Sequence, residues 1–183
     1  VIHALSDEQD MRKMGGTYKL IPATWALMLI GTLALTGFPL TAGYFSKDAV
    51  IEAAFASGTA VGQYGFAMGV AAALMTAFYS WRLMFLTFHG ETRASAHVIS
   101  HAHESPAVMI APLVILATGA LLAGGVFVGS FIGEGAGEFW GKALFVLPGN
   151  HIAEAMHHVP WWVKWSPVAV GFAGLALAFQ MYI

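Results

Sequence analysis

The most informative motif of the chain is Thr36-Gly37-Phe38-Pro39-Leu40-Thr41-Ala42-Gly43, which is followed by Tyr44-Phe45-Ser46-Lys47-Asp48. Proline cannot donate a backbone hydrogen bond and clashes with the carbonyl four residues back, and glycine weakens a helix interior. Apolar residues nevertheless extend on both sides, from position 21 to 57, and one straight helix of that length would measure roughly 55 Å. The pattern predicts two half-helices, 22–36 and 44–57, joined by an extended break, with a simple proline kink as the alternative.

The composition is that of a membrane protein. Of the 183 residues, 58% are hydrophobic and 10% are charged, whereas about 25% are charged in ordinary soluble domains. No charged residue or histidine occurs in four blocks, 21–46, 53–81, 105–133 and 165–183, and about 20 apolar residues suffice to cross a bilayer as a helix. These features exclude a soluble enzyme, and the lack of cysteine excludes a disulfide scaffold.

The four blocks predict an all-α integral membrane protein, a bundle of about four transmembrane helices whose first helix is discontinuous. The other three helices are predicted at 63–88, 106–132 and 165–183. A β-barrel strand would alternate polar and apolar residues, whereas residues 65–74 are apolar on both faces. Because the sequence starts without Met and stops inside an apolar run, we expect it to be an internal segment of a longer membrane protein.

The charges of the loops predict an orientation. Segment 1–20 and loop 89–105 together carry four Lys or Arg residues, whereas loop 133–164 carries Lys142 and Lys164. The excess of positive charge on cytoplasmic loops places 1–20 and 89–105 on the inner side. The aromatic and acidic residues of 133–164 predict a short amphipathic segment with an aromatic anchor at the outer membrane surface.

Lys47 is the charge that most needs an explanation, because it follows the break on the second half-helix. An ammonium at membrane depth costs at least about 2.5–3.5 kcal/mol, so it should face the bundle or a file of water. A lysine shielded from water can exchange its proton, which predicts a proton relay; the alternative is a lysine that snorkels to the interface. Asp48 lies about 100° further round the helix, so we expect no contact with Lys47, whose partner should lie outside this chain. Asp48 and Glu52 share a helix face.

Arg82 is the second charge inside a span. It lies six residues before Phe88, close enough to the end of the span to snorkel, and we expect no bridge to Glu52.

A loop rich in histidine follows the second span, and we expect it to be solvated. Its spacing matches no structural zinc pattern, so no metal is predicted. No haem or iron–sulfur ligand set is present, so no cofactor is expected in this chain. The histidines concerned are His89, His97, His101 and His103.

Three stretches, 9–16, 31–48 and 79–90, closely resemble the distal antiporter-like subunit of respiratory complex I, the subunit L (chain 5) family of NADH–quinone oxidoreductases. The resemblance is good over residues 1–90, whereas 105–183 fit mainly in hydropathy and order. It implies a proton-translocating membrane subunit that binds no redox cofactor, with FMN and iron–sulfur clusters in other subunits.

The resemblance also implies roles for particular residues. Lys47 matches the charged residue of the family's second broken helix, on the route towards the outer side, and Asp48 matches the carboxylate beside it. Arg82 matches a polar position on the next helix. With Glu52, these are the predicted proton-transfer residues, and the predicted break is formed by Gly37, Pro39 and Gly43.

The implied organisation has two parts. Residues 1–90 form part of the proton-translocating module, with inner loop 1–20, broken helix 21–57 and helix 63–88, and 91–183 add the last two helices. The implied partners are other membrane subunits of complex I, above all the neighbouring antiporter-like subunit, and the lipid bilayer. A net charge of −2 offers no basic surface to a nucleic acid.

The expected location is the bacterial inner (cytoplasmic) membrane, with the mitochondrial inner membrane as the alternative. Two other functions compete with this interpretation. One is a subunit of an Mrp-type sodium/proton antiporter or of a membrane-bound hydrogenase. The other is a purely structural membrane anchor, in which Lys47 would be dispensable.

Overall fold

In a computed structural model that describes residues 1–183, every regular element is a helix. The α-helices are α1 Pro22–Thr36, α2 Ala42–Ala56, α3 Ala60–Phe88, α4 Ala96–His101, α5 Ala107–Phe131, α6 Ala136–Trp140, α7 Ile152–Ala155 and α8 Trp161–Tyr182. Short 3-10 turns occupy His3–Leu5, Met11–Lys13, Thr17–Lys19 and Met156–His158.

Three helices are long and apolar enough to cross a membrane. They are α3, α5 and α8, with 29, 25 and 22 residues, and α1 is a shorter apolar helix of 15 residues. The predicted fold class, an all-α membrane bundle with a discontinuous first helix, is therefore confirmed.

The two half-helices begin and end for local reasons. Pro22 stands at the start of α1, where its missing N–H costs nothing. Gly37 ends α1 with a left-handed backbone (φ 74°), and Thr41 is extended (φ −84°, ψ 160°) before α2 begins at Ala42. The first half-helix has the predicted bounds, and the second starts two residues earlier than predicted.

The discontinuous helix lies between two long helices. Both α1 and α2 pack against α3 and against α5, and α8 packs mainly along α3. Small residues allow these close crossings, as is common between membrane helices: a Cβ at Gly174 of α8 would stand 2.8 Å from the Cβ of Ala77 on α3. The two half-helices are therefore packed within the bundle, whereas Phe38 and Leu40 of the break are exposed.

Segments 1–20 and 89–105 meet at one end of the bundle. The Gly15 N–H donates to the Thr87 carbonyl (3.1 Å), and the Arg93 guanidinium donates to the carbonyls of Leu86 (2.7 Å) and Arg12 (2.9 Å). Because Arg93 binds the last turn of α3 with a positive charge, it also favours the negative end of the helix dipole. The two segments predicted to share a side are thus joined to each other.

Segment 133–164 lies at the other end, beside the end of α2. It contains two short helices, α6 and α7, and α7 contacts α2. The ring of Trp162, at the start of α8, packs against those of Phe55 (5.3 Å between centroids) and Phe66 (5.9 Å). Contacts between aromatic rings therefore hold the end of segment 133–164 against α2 and α3.

Much of the apolar surface points outward. On α5, Ile115 and Leu116 are 72% and 68% exposed, and Ala117 is the only buried residue of the helix. A contiguous apolar surface of this kind is typical of a lipid or protein environment and not of water.

Candidate functional site at the helix break

The break leaves carbonyl groups at the end of α1 that need partners. The Phe38 N–H donates to the Leu33 carbonyl (2.9 Å) and the Gly37 N–H to the Ala34 carbonyl (3.2 Å), which is the pattern of a Schellman cap. This cap does not use the carbonyl of Thr36. A free acceptor therefore stands at the negative end of the α1 dipole.

Lys47 provides the missing donor. Its Nζ donates to the Thr36 carbonyl oxygen across the break, at 2.7 Å. The side chain is 24% exposed, so the ammonium is largely enclosed by protein. Lys47 thus links the second half-helix to the carboxyl end of the first, where the helix dipole favours a cation.

Asp48 is the most deeply enclosed charged side chain at the break. Its side chain is 7% exposed, and neither carboxylate oxygen has a hydrogen-bond partner. The Lys47 Nζ lies 4.0 Å from Asp48 Oδ1. The prediction that these residues make no contact is therefore wrong, because the flexible four-carbon lysine chain turns towards its neighbour. Within the chain, Lys47 has the Thr36 carbonyl as a hydrogen-bond acceptor; a tuning partner outside the chain stays a prediction.

Glu52 lies one turn further along α2, on the side of Asp48, and is partly buried. The basic groups whose charge acts on it are Lys164 of α8 and His157. The Lys164 Nζ also donates to the His157 carbonyl (3.0 Å). Lys164 and His157 were not predicted as site residues, because more than 100 positions separate them from Glu52 and no local pattern links them to it.

Two cavities lie near the two ends of α2, one at the residues that follow Glu52 by a turn and one at the break. A recess of about 370 Å³ at the end of α2 is lined by Ala56, Ser57, residues 149–152 and Ala155. Beside the break, a cavity of about 20 Å³ is lined in part by Thr36, Gly37 and Trp81. A volume of roughly 10–15 Å³ on this measure is enough for one water molecule.

Arg82 is held differently from the other predicted site residues. Its guanidinium carbon lies 5.7 Å from the ring centroid of Tyr182 on α8, within the range of a cation–π contact. Its Nε is buried without a hydrogen-bond partner, and the guanidinium forms no ion pair with a carboxylate. Arg82, a residue of α3, thus contacts α8 through the ring of Tyr182 and forms no salt bridge with Glu52.

The histidines of loop 89–105 differ among themselves. His97, His101 and His103 are exposed, whereas His89 is partly buried and accepts a hydrogen bond at Nε2 from the Trp25 indole (3.3 Å). The ring of Tyr18 stacks on His89 at 5.7 Å. The prediction of a solvated His89 is therefore wrong, because His89 packs at the end of α3 against the rings of Tyr18 in segment 1–20 and Trp25 in α1.

The hydrogen bond to His89 makes this end of the bundle sensitive to pH. Partial burial lowers the pKa of His89 below its usual 6.5, so the unfolded segment binds a proton more readily than the folded one. The stabilisation is therefore complete above about pH 6.5 and is lost as the pH falls below it. We expect hydrogen exchange in residues 86–93, corrected for intrinsic rates, to accelerate between pH 7.5 and 5.5. In the His89→Phe variant, which keeps the ring but cannot titrate, this pH response should vanish; an equal response in both proteins would contradict the assignment.

Helices, break and charges together define a class of protein: an integral membrane bundle with a discontinuous helix whose break carries a lysine and a buried carboxylate. Residues 1–76 match the family model described as NADH:quinone oxidoreductase/Mrp antiporter, TM. The family resemblance inferred from the sequence is confirmed, and the chain corresponds to a segment of larger relatives.

Three relatives illustrate the match. The NADH-quinone oxidoreductase subunit L of Rhodobacter capsulatus is 39% identical over 249 residues, which take in 100% of this chain and 35% of the relative. The NADH-ubiquinone oxidoreductase chain 5 of Phytophthora infestans is 41% identical over 182 residues, or 100% of this chain and 27% of the relative. Chain 5 of Dictyostelium discoideum is 45% identical over 152 residues, covering 83% of this chain and 22% of the relative. The chain thus spans about a third or less of the length of these relatives.

Proposed function

We propose that this chain is part of a proton-translocating membrane subunit of NADH–quinone oxidoreductase, respiratory complex I. The similarity to subunit L and chain 5 proteins extends over the whole chain and supports this function. One structural observation carries the proposal: an enclosed ammonium at the helix break, 2.7 Å from a backbone carbonyl and 4.0 Å from a buried carboxylate without hydrogen bonds. Charges are rarely placed inside a membrane bundle without a role in ion or proton movement.

In the proposed mechanism, Lys47 and Asp48 exchange a proton. The Lys47 ammonium releases a proton from Nζ to the Asp48 carboxylate, which leaves a neutral amine and a neutral carboxylic acid. The total charge of the pair is unchanged, so the step avoids creating a new net charge in a medium of low dielectric constant. A water molecule in the 20 Å³ cavity beside Thr36 and Gly37 would connect this pair to the rest of the route.

Glu52 would take the proton onward to the outer side. It lies one helical turn beyond Asp48, and its charge partners Lys164 and His157 belong to the segment at the end of α2. The recess of about 370 Å³ at Ala56 and Ser57 would provide the exit to water. Arg82 would contribute as a fixed positive charge, because a guanidinium does not release its proton in the accessible range.

The remaining parts of the proposal concern the surroundings of the chain. Quinone reduction elsewhere in the complex would drive the proton transfer, and FMN and iron–sulfur clusters would belong to other subunits. The exposed apolar faces would be covered by lipid and by other membrane subunits, above all the neighbouring antiporter-like subunit. Segments 1–20 and 89–105 would face the inner side of a bacterial cytoplasmic membrane or of the mitochondrial inner membrane.

An Mrp-type sodium/proton antiporter subunit is the second candidate, because the matching family model covers both kinds of protein. Proteoliposomes that contain the complete complex with the full-length subunit separate the two. We expect NADH oxidation by quinone to drive proton uptake at the same rate with and without sodium. Sodium movement driven by an imposed pH gradient, with no response to NADH, would favour the antiporter instead.

A further inference from the structure

Gly37 and Lys47 share a space too small for one more carbon atom. A Cβ added at Gly37 would overlap the Lys47 Nζ and would stand 2.7 Å from its Cε. The Nζ atom is the donor of the hydrogen bond to the Thr36 carbonyl. The ammonium therefore occupies the position that a side chain at residue 37 would fill.

The backbone of Gly37 makes this arrangement possible. With φ 74° and ψ 41°, Gly37 is in the left-handed conformation that ends α1, and a Cβ in that conformation would point at Lys47. The left-handed conformation alone does not require a glycine here, since asparagine also adopts it at moderate cost. Residue 37 must therefore lack a side chain for a second reason: Lys47 occupies the space in which its Cβ would lie.

We propose that Gly37 is a positioning residue for Lys47: the absence of its side chain lets the ammonium bind the Thr36 carbonyl at the end of α1. This inference rests on the proposed role of Lys47 in proton transfer. A side chain at residue 37 drives Nζ away from the carbonyl, and the acceptor then within reach is the Asp48 carboxylate, whose Oδ1 now lies 4.0 Å away. Lys47 would pair with Asp48 instead of alternating between two acceptors.

The first test compares two glycines with similar backbones. Gly58 also has a left-handed backbone (φ 64°), but a Cβ there meets nothing within 4 Å. Gly58→Ala therefore reproduces the backbone strain of Gly37→Ala without the contact to Lys47. In the assembled complex, we expect Gly37→Ala to lower the rate of proton translocation about tenfold, because the ammonium loses its charge-assisted hydrogen bond to the Thr36 carbonyl. Gly58→Ala should change it less than twofold, and equal losses in the two variants would overturn the inference.

A second test covers the case in which Gly37→Ala impairs assembly, and it does not depend on pumping. The thermal midpoint of the complex is compared for Gly37→Ala in the native background and in the Lys47→Ala background. The left-handed backbone at residue 37 strains Gly37→Ala in both backgrounds, but the space beside it is free once Lys47 is truncated, so Gly37→Ala should lower the midpoint more when Lys47 is present. An equal drop in both backgrounds would show that residue 37 acts independently of Lys47 and would overturn the inference. Full pumping by Lys47→Ala would refute the proposed function, while this comparison would still decide whether Gly37 positions Lys47.

Discussion

Replacing Lys47 by Met is expected to abolish most proton translocation while the complex still assembles. Met keeps much of the bulk of the side chain but has no proton to exchange and no donor for the Thr36 carbonyl. The Schellman cap on α1 remains, so the break should persist. Positioned acid–base groups contribute about 10²–10⁴-fold to proton transfer, and we expect a loss of at least about 100-fold in the translocation rate. NADH–quinone turnover should fall less than proton translocation, so that fewer protons are translocated per electron.

The measurement is proton uptake by proteoliposomes during NADH oxidation, with assembly checked by native electrophoresis. Lys142→Met is the matched control, because Lys142 is exposed in the segment between α6 and α7 and forms no salt bridge. Lys142→Met should translocate protons at the native rate. If Lys47→Met and Lys47→Ala both assembled and pumped fully, Lys47 would have no part in proton transfer, and a structural anchor would become the better account.

The Gly43→Ala substitution is expected to disrupt the break itself. A Cβ at Gly43 would overlap the carbonyl oxygen of Ala34 and stand 2.9 Å from its carbonyl carbon. The atoms it meets are backbone, so the first turn of α2 must move away from the last turns of α1. Overpacking of this kind costs about 1–3 kcal/mol. The yield and the thermal midpoint of the assembled complex should therefore fall sharply.

Gly31→Ala is the control for Gly43→Ala. Gly31 lies inside α1, and a Cβ there meets nothing within 4 Å. Alanine also favours a helix over glycine by roughly 1 kcal/mol, so Gly31→Ala should leave the complex as stable as the native one or slightly more stable. A Gly43→Ala complex with native yield and thermal midpoint would show that α1 and α2 do not approach as closely as described.

The fold was largely predictable because the decisive signals are local. The run around Pro39 predicts the break, since Gly37 ends α1 two residues before the proline. A proline alone is a weaker signal: Pro112 lies inside α5 and Pro167 inside α8, and both helices continue through them. Pro112 and Pro167 are the sixth and seventh residues of their helices, beyond the four N–H groups that have no intrahelical partner, so each helix continues at the cost of one backbone hydrogen bond.

The site was predictable only in part. A lone lysine after the break identified Lys47, but its partner is the Thr36 carbonyl, a backbone atom that no side-chain pattern reveals. The contact between Lys47 and Asp48 depends on the rotamer of a long flexible side chain, so helical spacing alone excluded it wrongly. Lys164 and His157 come near enough to act on Glu52 electrostatically, without an ion pair, because α8 and the preceding turn pack against α2, and local sequence does not specify that packing.

The central claim is that Lys47 exchanges a proton, and the Lys47→Arg variant tests it most directly. Arginine keeps the positive charge and can donate to the Thr36 carbonyl, but it does not release its proton in the accessible range. The measurement is the number of protons translocated per electron passed from NADH to quinone in proteoliposomes that contain the assembled complex. The account predicts a ratio clearly below the native one, as in Lys47→Met. A native ratio in Lys47→Arg would contradict it and would reduce Lys47 to a fixed charge.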